Sequence, residues 1–213
     1  MRPVKFFVFF LVFMPLLSTW AQTIEITPSY GFQFGTKSNY GRNYIQFDDS
    51  DQFGLTIGVE LHSGLIGELT YFHHSSQLNI RDINLSPIKS RLSDLSADWI
   101  FIGTSKYFSY DKVRPFAGGG LGLVFLTPKN ENFDLIDRGL ENETKFSFSV
   151  KAGVNIMLSK AVGLNFQGNL LLPIEWAGVY IGGGSGEVSS GISTGTTTLI
   201  AGVSAGLVFS LGD

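Results

Sequence analysis

The sequence predicts an all-β fold, an eight-stranded antiparallel up-and-down transmembrane β-barrel, on three observations. Apolar residues recur at every second position through most of the chain, which is the period of a strand and not of a helix. After the first twenty residues no run of 18 or more apolar residues occurs, so helical membrane spans are excluded. The connections between the alternating stretches are short and long by turns, as in a barrel with tight turns at one end and long loops at the other.

Composition narrows the field. Of 213 residues, 44% are hydrophobic, 14% aromatic and only 15% charged, so the chain has ample apolar surface to bury and disorder is not expected. The 26 glycines exceed the usual share of about 7% and weigh against helices. Cysteine is absent, which removes disulfides, thiolate metal ligands and a cysteine nucleophile. A formal net charge of -3 is of the wrong sign for a chain that must neutralise phosphates, and no nucleic acid partner is expected.

Residues 1–21 read as a secretory signal peptide. Arg2 and Lys5 give a positive start, Phe6 to Leu17 an uncharged apolar core, and Thr19 and Ala21 the small residues of a cleavage site before Gln22. No cysteine follows that site, so a lipoprotein is not expected. Residues 22–213 then form the exported barrel domain.

Eight strands follow in order. In the first, Ile24, Ile26, Tyr30, Phe32 and Phe34 alternate with Glu25, Thr27, Ser29, Gly31 and Gln33. In the second, Phe53, Leu55, Ile57, Val59 and Leu61 alternate with Gln52, Gly54, Thr56, Gly58 and Glu60. The third runs from Leu65 to about Ile80, with Leu69, Tyr71 and His73 opposite Glu68, Thr70 and His74. The fourth, from Ser93 to Phe108, sets Leu95, Ala97, Trp99, Phe101 and Tyr107 against Asp94, Ser96, Asp98, Thr104 and Lys106. The fifth spans Arg114 to Thr127, with Ala117, Leu121, Leu123 and Phe125 opposite Gly118, Gly120 and Gly122. The sixth carries Phe146, Phe148, Val150, Ala152, Val154, Ile156 and Leu158 against Lys145, Ser147, Ser149, Lys151, Gly153 and Asn155. The seventh sets Val162, Leu164, Phe166 and Leu170 opposite Gly163, Asn165, Gln167 and Asn169. The eighth sets Leu199, Ala201, Val203, Ala205, Leu207, Phe209 and Leu211 opposite Thr198, Gly202, Ser204, Gly206 and Ser210. Short turns are expected at 62–64, 109–113 and 159–161, and long loops at 36–51, 81–92, 128–143 and 173–195.

The polar phase is rich in Gly, Ser, Thr, Asn and Gln, and its charged members are sparser than the roughly 25 to 35% of a soluble surface. Small polar side chains suit the narrow lumen of an eight-stranded barrel. The apolar phase, read this way, holds no charge. A Lys or Arg there would cost about 2 to 4 kcal/mol at the bilayer midplane, so lipid contact is the expectation and a soluble apolar-in barrel the rival. Phe34, Phe53, Phe125, Phe146 and Phe148 fall toward the loops, and Tyr107 and Phe209 toward the turns, as interfacial aromatics do.

The signal peptide, the eight alternating strands, the segment Arg114-Pro115-Phe116-Ala117-Gly118-Gly119-Gly120-Leu121-Gly122 and the closing Ala205-Gly206-Leu207-Val208-Phe209 resemble the small outer-membrane β-barrels of OmpA and OmpX type. The resemblance covers nearly all of residues 22–213. It implies residence in the outer membrane with periplasmic termini, contact with outer-membrane lipid and lipopolysaccharide, and insertion by the barrel-assembly machinery. That family usually ends on an aromatic residue, whereas here Phe209 is followed by Ser210, Leu211, Gly212 and Asp213. The family serves as anchors, adhesins, narrow pores and lipid-modifying enzymes, so the likeness fixes no activity.

The charged residues of the polar phase are the candidate site. Glu25, Glu60, Glu68 and Lys106 are expected in the lower lumen near Arg114, and Asp94, Asp98, Lys145 and Lys151 in its middle and upper part. Acid and base occur together in each tier, and charges in a narrow interior must pair, so two networks cross-linking the wall are expected. His73-His74-Ser75-Ser76 places His73 and Ser75 on the lipid-facing phase. A His-x-Ser pair there resembles the base and nucleophile of outer-membrane lipid A deacylases, without an acid evident on the same face. His62, His73 and His74 do not make a metal set, because alternation separates His73 from His74. Gly118-Gly119-Gly120-Leu121-Gly122 leads into more strand and not into a helix, so it is not a phosphate cradle. The segment 181–195 is glycine-rich and low in complexity, with Trp176 and Tyr180 expected at the outer interface, and loop 128–143 is acidic.

The expected function is that of an outer-membrane anchor, not an enzyme, with no cofactor or metal. Its four long loops would face outward to meet an unidentified ligand. A narrow pore for small solutes or ions and a lipid A hydrolase using His73 and Ser75 are the alternatives.

Overall fold

A computed structural model of the chain describes residues 23–62, 64–83, 86–136, 139–174, 180–184, 187–191 and 199–212. Residues 1–21, expected to form a signal peptide, together with Trp176 and part of the fourth long loop, lie outside these residues. In chain order the strands are β1 (Ile24–Gln33), β2 (Thr36–Tyr40), β3 (Asn43–Phe47), β4 (Ser50–His62), β5 (Leu65–Asp82), β6 (Ser86–Tyr107), β7 (Val113–Lys129), β8 (Glu143–Met157), β9 (Val162–Ile174), β10 (Tyr180–Gly184), β11 (Glu187–Gly191) and β12 (Ile200–Leu211).

Eight of them close a ring. Each neighbouring pair of β1, β4, β5, β6, β7, β8, β9 and β12 is antiparallel, and β12 returns to β1 with Phe32 opposite Val203. These are the eight strands that alternation predicts. Closure leaves the ring no unpaired edge, which lets its backbone polar groups be satisfied without water. The short connections fall at 63–64, 108–112 and 158–161, all at the end that carries both described termini. Gly64 takes φ +82° in the first of them, a left-handed conformation that glycine adopts without steric cost.

The long connections are more ordered than a loop reading implies. Segment 81–92 is largely strand: β5 and β6 continue past the ring to the pair Asp82↔Ser86, with bulges on the way. Segment 36–51 is the β2–β3 hairpin, and β3 adds to β5 from Tyr44↔Arg81 to Phe47↔Leu78. The reason is apolar. Leu78, Ile80 and Leu92 keep the buried pattern going beyond the ring and meet Ile136 from the third long loop, with Ile45, Phe47, Leu135 and Leu140 around them. Asp48 ties this head together, accepting from Asn79 Nδ2 (2.8 Å), Gln46 Nε2 (3.0 Å) and Lys89 Nζ (3.0 Å). In the fourth loop β10 and β11 pair as a separate two-stranded sheet.

Inside the ring, seven strands take the facing that alternation assigns. The exception is β6. Its odd positions Ala97, Trp99, Phe101, Ser105 and Tyr107 are buried in the lumen, while Ile100, Ile102, Thr104 and Lys106 face outward. Hydrophobicity alone ranks the phase holding Trp99, Phe101 and Tyr107 as the lipid face, so the strand reads inside out. Volume decides the other way, because the facing strands present glycine. A Cβ on Gly122 of β7 would meet Phe101 Cδ1 of β6 at 2.7 Å; elsewhere in the lumen one on Gly54 would meet Phe72 Cδ1 of β5 at 2.9 Å, and one on Gly153 would meet Phe116 Cζ of β7 at 2.8 Å. Phe72, Trp99, Phe101, Val124, Leu171 and Ala97 form one buried cluster across the lumen. Trp99 and Phe101 lie 5.9 Å apart at 18°, and Phe72 meets Phe101 at 6.5 Å and 63°.

Truncating Leu92, fully buried in the head, is expected to cost about 2 to 5 kcal/mol of local packing. Leu92→Ala should speed limited proteolysis within 130–142 while the melting temperature of the ring stays unchanged; a matching fall in that temperature would show that head and ring unfold as one unit.

Candidate functional site in the lumen and on the outer wall

Near the turns the lumen holds a chain of polar side chains. Glu25 of β1 points inward by alternation. Tyr107 Oη of β6 donates to Glu25 Oε2 at 2.5 Å, Asn155 Nδ2 of β8 donates to Tyr107 Oη at 2.6 Å, and Asn165 Nδ2 of β9 donates to Asn155 Oδ1 at 2.6 Å. Arg114 Nη1 stands 3.8 Å from Glu25 Oε1. At the rim Tyr110 Oη donates to Glu60 Oε1 at 3.1 Å. Burial first, and then that bond to a carboxylate, pushes the Tyr110 phenol above its ordinary value.

The next tier is an ion pair. Lys151 Nζ lies 2.7 Å from Glu68 Oε2, which also accepts from Ser105 Oγ at 2.8 Å. The side chains are only 9% and 12% exposed, so each charge depends largely on the other for its neutralisation. Between the two tiers is a cavity of about 20 Å³, lined by Glu25, Glu68, Tyr107, Lys151 and Asn155 among others. That is room for one or two waters. Toward the loops the aromatic cluster follows, and beyond it Lys145 Nζ pairs with Glu143 Oε2 at 3.1 Å.

Of the expected lumen charges, Glu25, Glu68, Arg114, Lys145 and Lys151 lie inside and Glu60 at the lower rim. Asp94, Asp98 and Lys106 do not: the facing of β6 puts all three on the outside of the wall. The middle tier is therefore built from Lys151 and Glu68, with no part for Asp94 or Asp98. Tyr107 is likewise a lumen residue and not an interfacial one, being 8% exposed. The loopward aromatics Phe34, Phe53, Phe125, Phe146 and Phe148 do face outward. Phe32 meets Phe34 at 5.4 Å, and Phe146 meets Phe148 at 5.5 Å, both edge to face.

The same facing creates a cluster that alternation misses. Asp98 comes to the outer face beside His73 and Tyr71 of β5; its Oδ1 is 2.8 Å from His73 Nδ1 and accepts from Tyr71 Oη at 2.6 Å. Thus the face of His73 and Ser75 does carry an acid. The glycines facing Phe72 and Phe101 were the available signal, since they mark where bulk must point inward. His74 turns into the lumen and stacks on Trp99 at 6.1 Å. Among the described residues no three His, Cys, Asp or Glu gather as a metal set.

Lys151→Met leaves Glu68 buried without its counter-charge and is expected to cost about 3 to 5 kcal/mol. Adding Glu68→Gln to that variant should recover most of the loss in a denaturant titration of the folded barrel; equal stability of single and double variants would deny the pair its structural role.

No family model matches the chain, and no curated protein matches its sequence. Solved structures do match. The fold is similar to the outer membrane protein OprG from Pseudomonas aeruginosa, with a TM-score of 0.65 at 10% identity over 90% of this chain and 96% of that one. It is also similar to Neisserial surface protein A, with a TM-score of 0.57 at 13% identity over 90% of this chain and 98% of that one. At such identities the likeness concerns the backbone and not the residues of a site. With its closed ring, its short turns and its outward apolar wall, the chain has the fold of the small eight-stranded outer-membrane β-barrels.

Proposed function

We propose that the protein resides in the outer membrane as a closed barrel that anchors a folded external head, with its termini in the periplasm. The observation that carries this reading is the aromatic cluster of Phe72, Trp99 and Phe101, which crosses the lumen above a paired Lys151 and Glu68. A conducting path needs an open passage, and here the buried rings occupy the width left beside the lumen-facing Gln52, Thr70, His74 and Asn169. The outer wall supports membrane residence, because Ile57, Leu69, Ile102, Leu121, Val150 and Leu207 are all exposed on it. Exposed apolar side chains in a continuous band are costly in water and at no cost in lipid. Lipid and lipopolysaccharide would meet this band, and the barrel-assembly machinery would insert it. The head, with its own apolar core, offers a surface for an external ligand on the described residues of 36–51, 81–92 and 128–143.

In planar bilayers the protein should give no steady conductance above the lipid baseline, and Trp99→Ala combined with Phe101→Ala should open a measurable one. Steady conductance of the unaltered protein would establish the pore instead. Because the chain has no cysteine, introduced ones report orientation cleanly. Phe133→Cys in the head, a position 66% exposed, should react with a membrane-impermeant maleimide on intact cells, whereas Lys160→Cys in a short turn should react only after lysis. The reverse pattern would overturn the orientation.

A further inference from the structure

We propose that the lumen holds a buried site for one monovalent metal cation, sodium or potassium, bound by the side-chain oxygens of Gln33, Gln52 and Asn169 in the space beside Gly202. Register brings these residues together. Gln33 of β1 lies opposite Gly202 of β12, and Gly202 lies opposite Asn169 of β9. All three belong to the inward phase, as does Gln52 of β4, the strand on the other side of β1. Two carboxamides therefore flank a residue with no side chain, and a third reaches in from one strand further round the ring.

The atoms around that gap share one chemistry. A Cβ on Gly202 would lie 2.8 Å from Asn169 Oδ1, 2.8 Å from Gln52 Oε1 and 3.0 Å from Gln33 Oε1. These are the nearest heavy atoms beyond Gly202 and its chain neighbours, and all of them are oxygens. Gln33 is 3% exposed, Gln52 0% and Asn169 3%, so bulk water does not solvate them.

Hydrogen bonds fix which way the carboxamides point. Gln33 Nε2 donates to the Ala201 carbonyl at 2.6 Å, and Asn169 Nδ2 donates to Gln52 Oε1 at 3.4 Å. Turning either amide over would set oxygen against oxygen. Neither Gln33 Oε1 nor Asn169 Oδ1 accepts a hydrogen bond from any described residue. A buried acceptor in that condition is costly, and a positive charge among such acceptors removes the cost.

The kind of ion follows from the kind of oxygen. Carboxamide oxygens carry a dipole and no net charge, like the backbone carbonyls that replace the hydration shell of potassium in channel filters. Calcium sites draw on carboxylates, and none is among the nearest atoms here. Lys151, opposite Asn169, has its charge balanced by Glu68 at 2.7 Å. A water molecule has two protons for three acceptors, whereas a metal cation attracts all three at once. Ser50, opposite Gln33, and Ser204, two residues along from Gly202, are buried with hydroxyls that have no described partner, and they add oxygens next to the site. One step loopward on the same face, Leu171 belongs to the aromatic cluster and Ile200 packs against it, so the oxygens lie at the edge of that packing and not in an open passage.

The site does not depend on membrane residence, and its test uses the purified full chain in detergent micelles. The chain is melted in sodium chloride, potassium chloride and N-methylglucamine chloride at equal ionic strength. Sodium or potassium is expected to raise the melting temperature by about 5 °C or more at roughly a hundredfold excess over its dissociation constant. N-methylglucamine, too large for the site, gives the baseline, and the ion that acts at lower concentration is the occupant. Gly202→Ala puts a methyl group where the oxygens converge, and its melting temperature should be the same in all three salts. Gln52→Met removes one oxygen with little change of bulk and should raise the ion concentration needed about tenfold or more, so the site is read even where Gly202→Ala does not fold. Equal melting of the unaltered chain in all three salts leaves a water among the oxygens and overturns the site, and so does an ion effect that either folded variant retains in full. A larger effect of calcium chloride than of either alkali salt overturns the monovalent assignment.

Discussion

A ring of eight strands encloses a space only as wide as its side chains, and that space has to be filled. Close packing in protein interiors leaves little tolerance for voids or overlaps. Here the filling is uneven: β6 delivers Trp99, Phe101 and Tyr107, β5 delivers Phe72, and glycines on β4, β7 and β8 make the room. Bulk on one wall matched by absence on another sets which way β6 faces. From that one facing follow the aromatic cluster in the lumen and the positions of Asp94, Asp98 and Lys106 on the outside.

The polar interior obeys a different constraint. Glu25, Glu68, Arg114 and Lys151 are shut in, so each needs partners supplied by other strands. The bonds from Glu25 through Tyr107 and Asn155 to Asn165 link β1, β6, β8 and β9, and Glu68 links β5 to β8 and to Ser105 of β6. Asn155–Asn165 and Glu68–Ser105 join neighbouring strands, whereas Glu25–Tyr107, Tyr107–Asn155 and Glu68–Lys151 run across the ring. The crossing contacts resist ovalisation of the wall in a way that the ladder between neighbouring strands does not.

Outside the ring the strands continue because they have something to bury. Leu78, Ile80 and Leu92 extend the wall into a head whose core is completed by Ile136 from another loop. Asp48 then fixes the β2–β3 hairpin against β5 and β6 through Asn79 and Lys89. These contacts order segments that would otherwise keep the conformational entropy of open loops. Just below it, on the wall, Asp98, His73 and Tyr71 are held by mutual hydrogen bonds at the edge of the apolar band.

The strand count, the antiparallel order, the turn ends and the facing of seven strands were legible in the sequence, because period 2 ties each residue to one side of the sheet. So were the lumen positions of Glu25, Glu68, Arg114, Lys145 and Lys151. The facing of β6 was not. Its two phases mix Asp98 with Ile100 and Ile102, and Trp99 and Phe101 with Gly103 and Ser105. Hydrophobicity ranks the Trp99 and Phe101 phase toward lipid, whereas the space that Gly122 leaves beside Phe101 favours it for the lumen. The head was illegible for a similar reason: Leu92 and Ile136 are far apart in the chain and acquire meaning only as neighbours. Sequence determined what repeats along one strand; the tertiary structure decided what depends on fit between strands, since volume and charge pairing are properties of residues brought together across the ring.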